Sequence, residues 1–241
     1  MRRFVLLLSA LVLLSATPAS AQLDQILKEV ETYSKSGVGA SGDAKIGAAL
    51  KQALQVGTEN AVKLTGKTDG YFADQAIKIL MPDKLRSLEK GLRTIGYGGE
   101  VDNLVLSMNR AAERAAPEAK KMFWDAIGKM TIDDAQRILN GTPTAATDYF
   151  KDKTSASLTL AFRPIVDRAM NEVGTVKQYN ELLDQARTIP FLKTENVDLD
   201  RYVVGKALDG LFHVVGEQER QIRTNPAART TALLKEVFAS K

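Results

Sequence analysis

The sequence predicts an all-α fold, a compact bundle of roughly nine to eleven helices. Apolar residues recur along the chain at the three- and four-residue spacing of an amphipathic helix. The alternation of apolar and polar residues that marks a half-buried strand is not sustained in any segment of the sequence. With 44% hydrophobic and 26% charged residues, the composition is typical of a globular domain and not of a disordered chain.

Residues 1–21 have the three-part layout of a secretory signal peptide. Arg2 and Arg3 supply the positive start, residues 4–14 form an apolar run, and a stretch of small residues ends at Ala21. We expect cleavage after Ala21 and export of a soluble mature chain that begins near Gln22. The apolar run is shorter than the about 20 residues that a membrane span needs, which favours a signal peptide. No second apolar stretch of the sequence approaches that length, so we expect no transmembrane segment in the mature chain.

Residues 22–241 are predicted to form a single α-helical domain, in which residues 22–42 make a first helix and a flexible joint. The chain contains no cysteine, which excludes disulfides, thiolate metal sites, cysteine nucleophiles and the lipid anchor of a bacterial lipoprotein. His213 is the single histidine, so a zinc site is not expected and any Ser-His-Asp triad would depend on this residue. We expect no metal and no cofactor.

Glycine and proline delimit the helices that follow the joint. A long helix is predicted over residues 43–64 and ends at the loop sequence TGKTDG. Short helices are predicted over residues 71–80 and 83–95, separated by Pro82 and closed by the sequence GYGG. A strongly amphipathic helix is then predicted over residues 100–116.

Local signals also place the later helices. Thr131 is predicted to cap a short helix, with Asp134 as its partner in a capping box. Pro164 cannot donate the helical hydrogen bond, so a kink or break is expected near residues 162–163. The other helices of this half are predicted over residues 118–130, from Thr142 onward with Pro143 in the first turn, over 176–188, over 199–223, and from the Asn225 cap with Pro226 onward.

Two glycine motifs have the form of nucleotide-binding loops, but neither is expected to bind a nucleotide. Residues 37–42 match G-x-G-x-x-G and residues 66–68 match the end of a phosphate-binding loop, yet no predicted strand precedes either motif. The isoelectric point of 9.1 is only weak evidence for nucleic-acid binding. The net charge of +4 falls to about +2 once Arg2 and Arg3 are removed with the signal peptide, which leaves a small excess of basic residues. We expect no nucleic-acid partner.

Two polar clusters supply the candidate binding residues. Asn109 and Glu113 share one helical face, with Arg110 within reach of Glu113. Glu219 and Arg223 are likewise four residues apart, and with the start of the last helix they could hold an anion. The alternative is a network of ion pairs that only fixes neighbouring helices. We predict that the two clusters pack near each other and line one polar cleft. The candidate ligand-binding residues are Asn109, Arg110, Glu113, Glu219, Arg223, Asn225 and Arg229.

Several strings in this sequence, taken together, resemble one bacterial family. They are Asp69-Gly70-Tyr71-Phe72, Ile79-Leu80-Met81-Pro82, Met108-Asn109-Arg110-Ala111-Ala112-Glu113, Ala145-Ala146-Thr147-Asp148-Tyr149-Phe150, and a C-terminal set of Glu219, Ile222-Arg223, Asn225-Pro226, Ala228-Arg229, Thr231 and Leu234. Over nearly all of its mature part, the chain resembles the domain-of-unknown-function family 4197, exported proteins of Gram-negative bacteria. The resemblance implies an all-helical periplasmic protein, and it implies no activity and no catalytic residues.

These observations favour a non-enzymatic binding or interaction protein of the periplasm, whose partner is a small anionic ligand or an envelope protein. One alternative is a hydrolase of a cell-envelope substrate, in which Glu113 with Glu217 or Glu219 forms an acid–base pair. A second alternative is an envelope scaffold without a pocket, which an exposed apolar patch would favour. The sequence leaves the ligand and the oligomeric state open.

Overall fold

A computed structural model describes residues 42–172, 175–187 and 197–228, and these residues form helices and loops with no strand among them. The chain separates by its contacts into residues 1–42 and residues 43–241, and the second unit carries the elements described below. The predicted signal peptide lies outside the described residues, as do the first helix and the joint apart from Gly42. The prediction of an all-helical protein is confirmed for the described part.

The helices of the described part are fewer than the nine to eleven predicted. The α-helices are α1 (Gly42–Gly66), α2 (Arg86–Thr94), α3 (Gly98–Ala115), α4 (Ala119–Lys129), α5 (Ile132–Asn140), α6 (Ala145–Glu172), α7 (Thr175–Arg187) and α8 (Leu199–Thr224). Short 3-10 turns occur at Asp83–Leu85, Ala116–Glu118 and Pro226–Ala228. Within this part, no helix has the length and apolar character needed to cross a membrane.

The helix predicted over residues 71–80 is wrong, and it accounts for part of the difference in helix number. Residues 67–82, which we call the 67–82 loop, contain turns and extended backbone between α1 and the 3-10 turn at Asp83–Leu85. The buried amide groups of Tyr71 and Ile79 bond to side chains of α3, and the four-residue backbone bonds of Ala73 and Lys78 do not extend into a helix. Long-range partners therefore override the helical periodicity of the segment, because they satisfy its buried backbone groups by another route.

Of the kink or break predicted near Pro164, the break is wrong, because α6 continues without interruption to Glu172. A kink at this position stays a prediction. Pro164 is exposed, and Leu160, whose carbonyl loses its donor at this proline, is 75% exposed. A carbonyl that is freed on the solvent side of a helix can bind water, which lowers the cost of an internal proline.

Helix α6 packs against α3 and α8, and these three helices surround the centre of the core. Phe123 of α4 contacts Phe150 of α6 and Phe212 of α8, with ring centroids 5.2 and 6.0 Å apart. Each buried aromatic side chain contributes about 2 to 3 kcal/mol by leaving water. The aromatic contacts thus fix the part of α8 that precedes Glu219 against α6.

Capping residues position the ends of several helices. The capping box of Thr131 and Asp134 at the start of α5 is confirmed by reciprocal bonds. Asn225 Oδ1 accepts from Ala227 N–H at 3.0 Å and caps the 3-10 turn after α8, as predicted for a helix start there. Asp198 caps α8 by accepting from Arg201 N–H at 2.9 Å, a cap that the sequence analysis did not identify.

Candidate functional site

The carboxylate of Glu113 binds the start of the 67–82 loop. Glu113 is buried on α3, and its Oε1 accepts from the N–H groups of Tyr71 and Phe72 at 3.1 and 3.2 Å. Its Oε2 accepts from Arg110 Nη1 at 2.6 Å, and Arg110 Nη2 donates to Asp69 at 2.7 Å. The bonds to Glu113 and then to Asp69 raise the pKa of Arg110 above its ordinary value. Both oxygens of this carboxylate are therefore engaged within the fold.

The side-chain amide of Asn109 forms two hydrogen bonds with the backbone of Ile79, one to its N–H and one to its carbonyl. Its Oδ1 accepts from Ile79 N–H at 2.9 Å, and its Nδ2 donates to the Ile79 carbonyl at 2.8 Å. Nδ2 also donates to the carbonyl of Val105, one turn earlier in α3, at 2.7 Å. The side chain is completely buried. Since its amide is committed to backbone groups, Asn109 serves the 67–82 loop and faces no open space.

Tyr71 fastens the same loop to α8. Its hydroxyl donates to the carbonyl of Ala207 at 2.6 Å, and burial, with the charge of Glu113, raises the pKa of the phenol. A Cβ added at Gly210 would lie 2.6 Å from the Tyr71 ring, so the ring requires glycine at that position of α8. The loop therefore bridges α3 and α8.

Glu219 forms the second cluster, at the start of α6. Its carboxylate accepts from the N–H groups of Ala146 and Thr147 at 3.0 and 2.9 Å, and from the Thr147 hydroxyl at 2.8 Å. The first N–H groups of a helix have no partner within the helix, and a negative charge there is favoured by the helix dipole. Glu219 is thus a cap for α6 that comes from another helix.

Arg223 completes this cluster at the end of α5. Its guanidinium donates to the carbonyls of Ile138 and Leu139 at 2.7 and 3.4 Å, and it pairs with Glu219 at 2.9 Å. The last carbonyls of a helix favour a positive charge in the same way that its first N–H groups favour a negative one. Two residues of α8 therefore cap the helices on both sides of the α5–α6 connection. The negative Glu219 caps the start of α6, and the positive Arg223 caps the end of α5.

The predicted site residues thus fall into two clusters with different partners. Asn109, Arg110 and Glu113 contact the 67–82 loop, whereas Glu219 and Arg223 contact residues 138–147. Asn225 caps the turn at the end of α8, and Arg229 lies outside the described residues. A single cleft lined by both clusters stays a prediction.

An open pocket of about 350 Å³ lies beside α3, and we call it the α3 pocket. Its lining combines two guanidinium groups with two hydroxyl groups; the lining residues are Gly66, Thr68, Leu106, Ser107, Arg110, Glu113 and Arg114. Arg114 pairs with Glu172 at 2.8 Å, and both side chains are about half exposed. Such an exposed pair contributes at most about 1 kcal/mol, so Arg114 can exchange this partner for a ligand.

Three residues of this pocket, Thr68, Ser107 and Arg114, were missed by the sequence analysis. Ser107 and Arg114 lie three residues before and four residues after Arg110, so the helical repeat alone places them on the same face. Thr68 has no such signal, because its position depends on the fold of the 67–82 loop.

Other residues suited to chemistry are dispersed over the surface. His213 is exposed on α8 and lies 3.8 Å from Glu217, which also pairs with Arg220 at 3.1 Å. Across residues 42–172, 175–187 and 197–228, no three acidic or histidine side chains come close enough together to hold a metal ion. The α3 pocket is therefore the place where the candidate residues meet open space.

Comparison with known proteins agrees with the resemblance seen in the sequence. A family described as "Protein of unknown function (DUF4197)" has a sequence model that matches residues 40–239. No curated protein and no solved structure matches the chain. The family match includes the 67–82 loop, α3 and α8, and with them both buried carboxylate clusters. Because the match covers most of its length, the chain belongs to this DUF4197 family.

Proposed function

We propose that this protein is exported to the periplasm and binds a small anionic ligand without transforming it. The observation that carries the proposal is the α3 pocket, where Arg110 and Arg114 stand on one helical face beside the hydroxyls of Thr68 and Ser107. Guanidinium and hydroxyl donors are the groups that recognise carboxylate and phosphate oxygens. The layout of residues 1–21 supports export.

The geometry of Arg110 suits recognition, because Glu113 and Asp69 hold its guanidinium in one orientation. A side chain that is already fixed loses little entropy when a ligand binds. Arg114 supplies the adaptable second contact, since its bond to Glu172 is exposed to solvent. Arg110 is thus a fixed donor and Arg114 a movable donor in the lining of the same pocket.

The hydrolase alternative receives no support from the carboxylates that it would use. Glu113 and Glu219 each accept from two backbone N–H groups and from an arginine. Both oxygens of each carboxylate are engaged within the fold, so neither group is placed to exchange a proton with a substrate. Glu217 is exposed and pairs with Arg220. These contacts favour a role in holding the fold.

Calorimetric titration with inorganic phosphate and with acetate tests the proposal. We expect saturable binding of at least one anion, weakened about tenfold or more by Arg114→Gln because one guanidinium is lost. The control is Arg86→Gln, since Arg86 also forms an exposed ion pair, with Asp83 at 2.7 Å, and lies away from the pocket lining. Binding that the two variants weaken equally would contradict the α3 pocket as the site, and an absence of binding by both anions would contradict the proposal.

A further inference from the structure

A second pocket, the α6–α8 pocket, lies where the middle of α6 meets the start of α8. It has a volume of about 360 Å³ and is lined by Leu160, Arg163, Pro164, Asp167 and Asp200. We propose that this pocket binds a primary alkylammonium group, with the ammonium at Asp200 and the alkyl chain along Leu160 and Pro164. This inference is independent of the anion site beside α3.

The carboxylate of Asp200 has an oxygen that accepts no hydrogen bond in the described part of the chain. Its Oδ1 is buried and has no hydrogen-bond partner within the described part of the chain. A buried acceptor without a donor costs about 1 to 3 kcal/mol. Burial, and then the charges of Asp167 and Asp198, raise the pKa of Asp200, while Arg163 acts in the opposite direction. Because Oδ1 is buried, the Asp200 side chain must turn toward the pocket before an ammonium group can donate to it, and such a charged donor would then remove this penalty.

A second acceptor is provided by the backbone of α6. Pro164 has no N–H, so the carbonyl of Leu160 lacks the hydrogen bond that the residue four positions later normally donates. Leu160 and Pro164 both line the pocket. An ammonium group has three donors, which matches a wall that offers carboxylate oxygens together with a free carbonyl.

The balance of charge around the pocket is negative. Asp167 and Asp200 line it and Asp198 lies close enough to affect Asp200, whereas Arg163 is the one cation among these lining groups in the described residues. Negative potential of this kind attracts cations and disfavours the anions expected beside α3.

The chemistry of the walls favours an organic cation over a metal ion. Calcium takes about six to eight oxygen ligands, and magnesium requires a near-ideal octahedron of oxygens. The α6–α8 pocket has two carboxylates in its lining, and Leu160 and Pro164 add apolar surface that would leave a hydrated metal ion in poor contact. An alkyl chain gains free energy on that surface, at about 0.8 kcal/mol for each buried CH₂ group.

Arg163 is the internal competitor for the carboxylates of the pocket. It lines the same wall one turn before Asp167, and no ion pair within 4.0 Å joins it to Asp167 or Asp200 among the described residues. Removal of this cation by Arg163→Gln should therefore strengthen ammonium binding, because the negative potential in the pocket would rise.

The experiment is a calorimetric titration of the protein with n-butylammonium at low ionic strength. We expect Asp200→Asn to weaken binding about tenfold or more and Arg163→Gln to strengthen it, since one change removes the anion and the other removes the competing cation. The control is Asp209→Asn, because Asp209 lies on the same helix and is 75% exposed. Binding that falls equally in Asp200→Asn and Asp209→Asn would overturn the proposal, as would no binding to the unaltered protein.

A thermal denaturation separates a ligand site from a structural carboxylate. Asp200→Asn should raise the melting temperature near neutral pH, because it removes the charge from a partly buried carboxylate whose Oδ1 lacks a donor. A merely structural role predicts a lower melting temperature for the same variant.

Titration with 1,4-diaminobutane and with N-acetyl-lysine amide then identifies the molecule that carries the ammonium group. Tighter binding of 1,4-diaminobutane favours a polyamine, and tighter binding of N-acetyl-lysine amide favours a lysine side chain. Saturation by Mg²⁺ or Ca²⁺ with no butylammonium binding would overturn the assignment.

Discussion

At the scale of single residues, Gly70 shows how closely the 67–82 loop fits the end of α1. A Cβ at this position would lie 2.4 Å from the carbonyl oxygen of Leu64 and 2.6 Å from that of Thr65. These are backbone atoms and cannot move aside without shifting the helix end. The neighbouring Asp69 has a φ of 63°, a left-handed conformation that aspartate tolerates better than most residues.

Gly70→Ala should therefore lower the free energy of unfolding by about 2 kcal/mol or more, through steric conflict with α1. Gly205→Ala is the matched control, because a Cβ at Gly205 meets nothing within 4 Å and the residue lies inside α8. That change should stabilise the protein by about 0.5 to 1 kcal/mol, as alanine is the better helix former. Urea denaturation measures both values, and equal effects would contradict this account of the loop.

The two buried glutamates are the second feature at this scale. Glu219→Ala should destabilise the fold by about 3 kcal/mol, because two N–H groups of α6 and the guanidinium of Arg223 would be left buried without their acceptor. Glu217→Ala, on the same helix but exposed, should change the free energy of unfolding by no more than about 0.5 kcal/mol. Comparable losses in the two variants would show that Glu219 is not a structural cap.

The sequence identified Glu113 and Glu219 as candidates but not their partners. Glu113 binds an amide 42 positions away and Glu219 binds one 73 positions away, and no local spacing encodes such contacts. Only the pairing within a helix, Arg110 with Glu113 and Glu219 with Arg223, follows from the helical repeat. A polar string therefore indicated a cluster without showing whether the cluster faces a ligand or the backbone.

At the scale of elements, the start of α5 could be predicted because its stabilisation is local. Thr131 donates to Asp134 Oδ2 through its N–H at 3.1 Å and through its hydroxyl at 2.9 Å, and Asp134 N–H donates back to that hydroxyl. The 67–82 loop could not be predicted in this way, since the buried amides of Tyr71 and Ile79 depend on side chains of α3. Helix ends with local caps are therefore readable from sequence, and segments held by distant side chains are not.

The capping box has a consequence for stability in acid. Hydrogen bonds from Thr131, first from its backbone, lower the pKa of Asp134 below its ordinary value of 3.8. The stabilisation is fully present above that unfolded-state value and is lost as the pH falls through the lower folded-state value. The difference in melting temperature between the protein and Asp134→Asn should therefore be constant at neutral pH and shrink in acid below 3.8. Thermal scans across this range check it, and a difference independent of pH would contradict it.

Helix α6 retains Pro164 at a measurable cost. Pro164→Ala should raise the free energy of unfolding by about 1 to 2 kcal/mol, because the helix gains a hydrogen bond. The greater flexibility of the unfolded chain offsets only part of this gain. Urea denaturation measures this change. If the free carbonyl of Leu160 contacts an ammonium ligand, the same variant should bind n-butylammonium less tightly although it is more stable. A variant with lower stability would instead show that the proline fits a bend that α6 requires.

At the scale of the whole molecule, the all-helical fold of the described residues was predictable because helical periodicity recurs along residues 22–241. Within the described residues, the number of helices was overestimated, since one loop has a helical pattern and Pro164 does not end α6. The location of the α3 pocket was beyond sequence analysis, because it forms where the end of α1, the 67–82 loop and α3 meet. The fold thus follows largely from local patterns, whereas the pockets follow from contacts between distant segments.

The central claim is that the protein is exported and carries a small anion beside Arg110 and Arg114. Native mass spectrometry of the protein purified from the periplasm tests it most directly. The account predicts a mature chain that begins at Gln22 and an anionic adduct that persists in Arg86→Gln and is lost in Arg114→Gln. A chain that keeps residues 1–21, or an unaltered protein that carries no adduct, would contradict it, as would an adduct that Arg114→Gln retains.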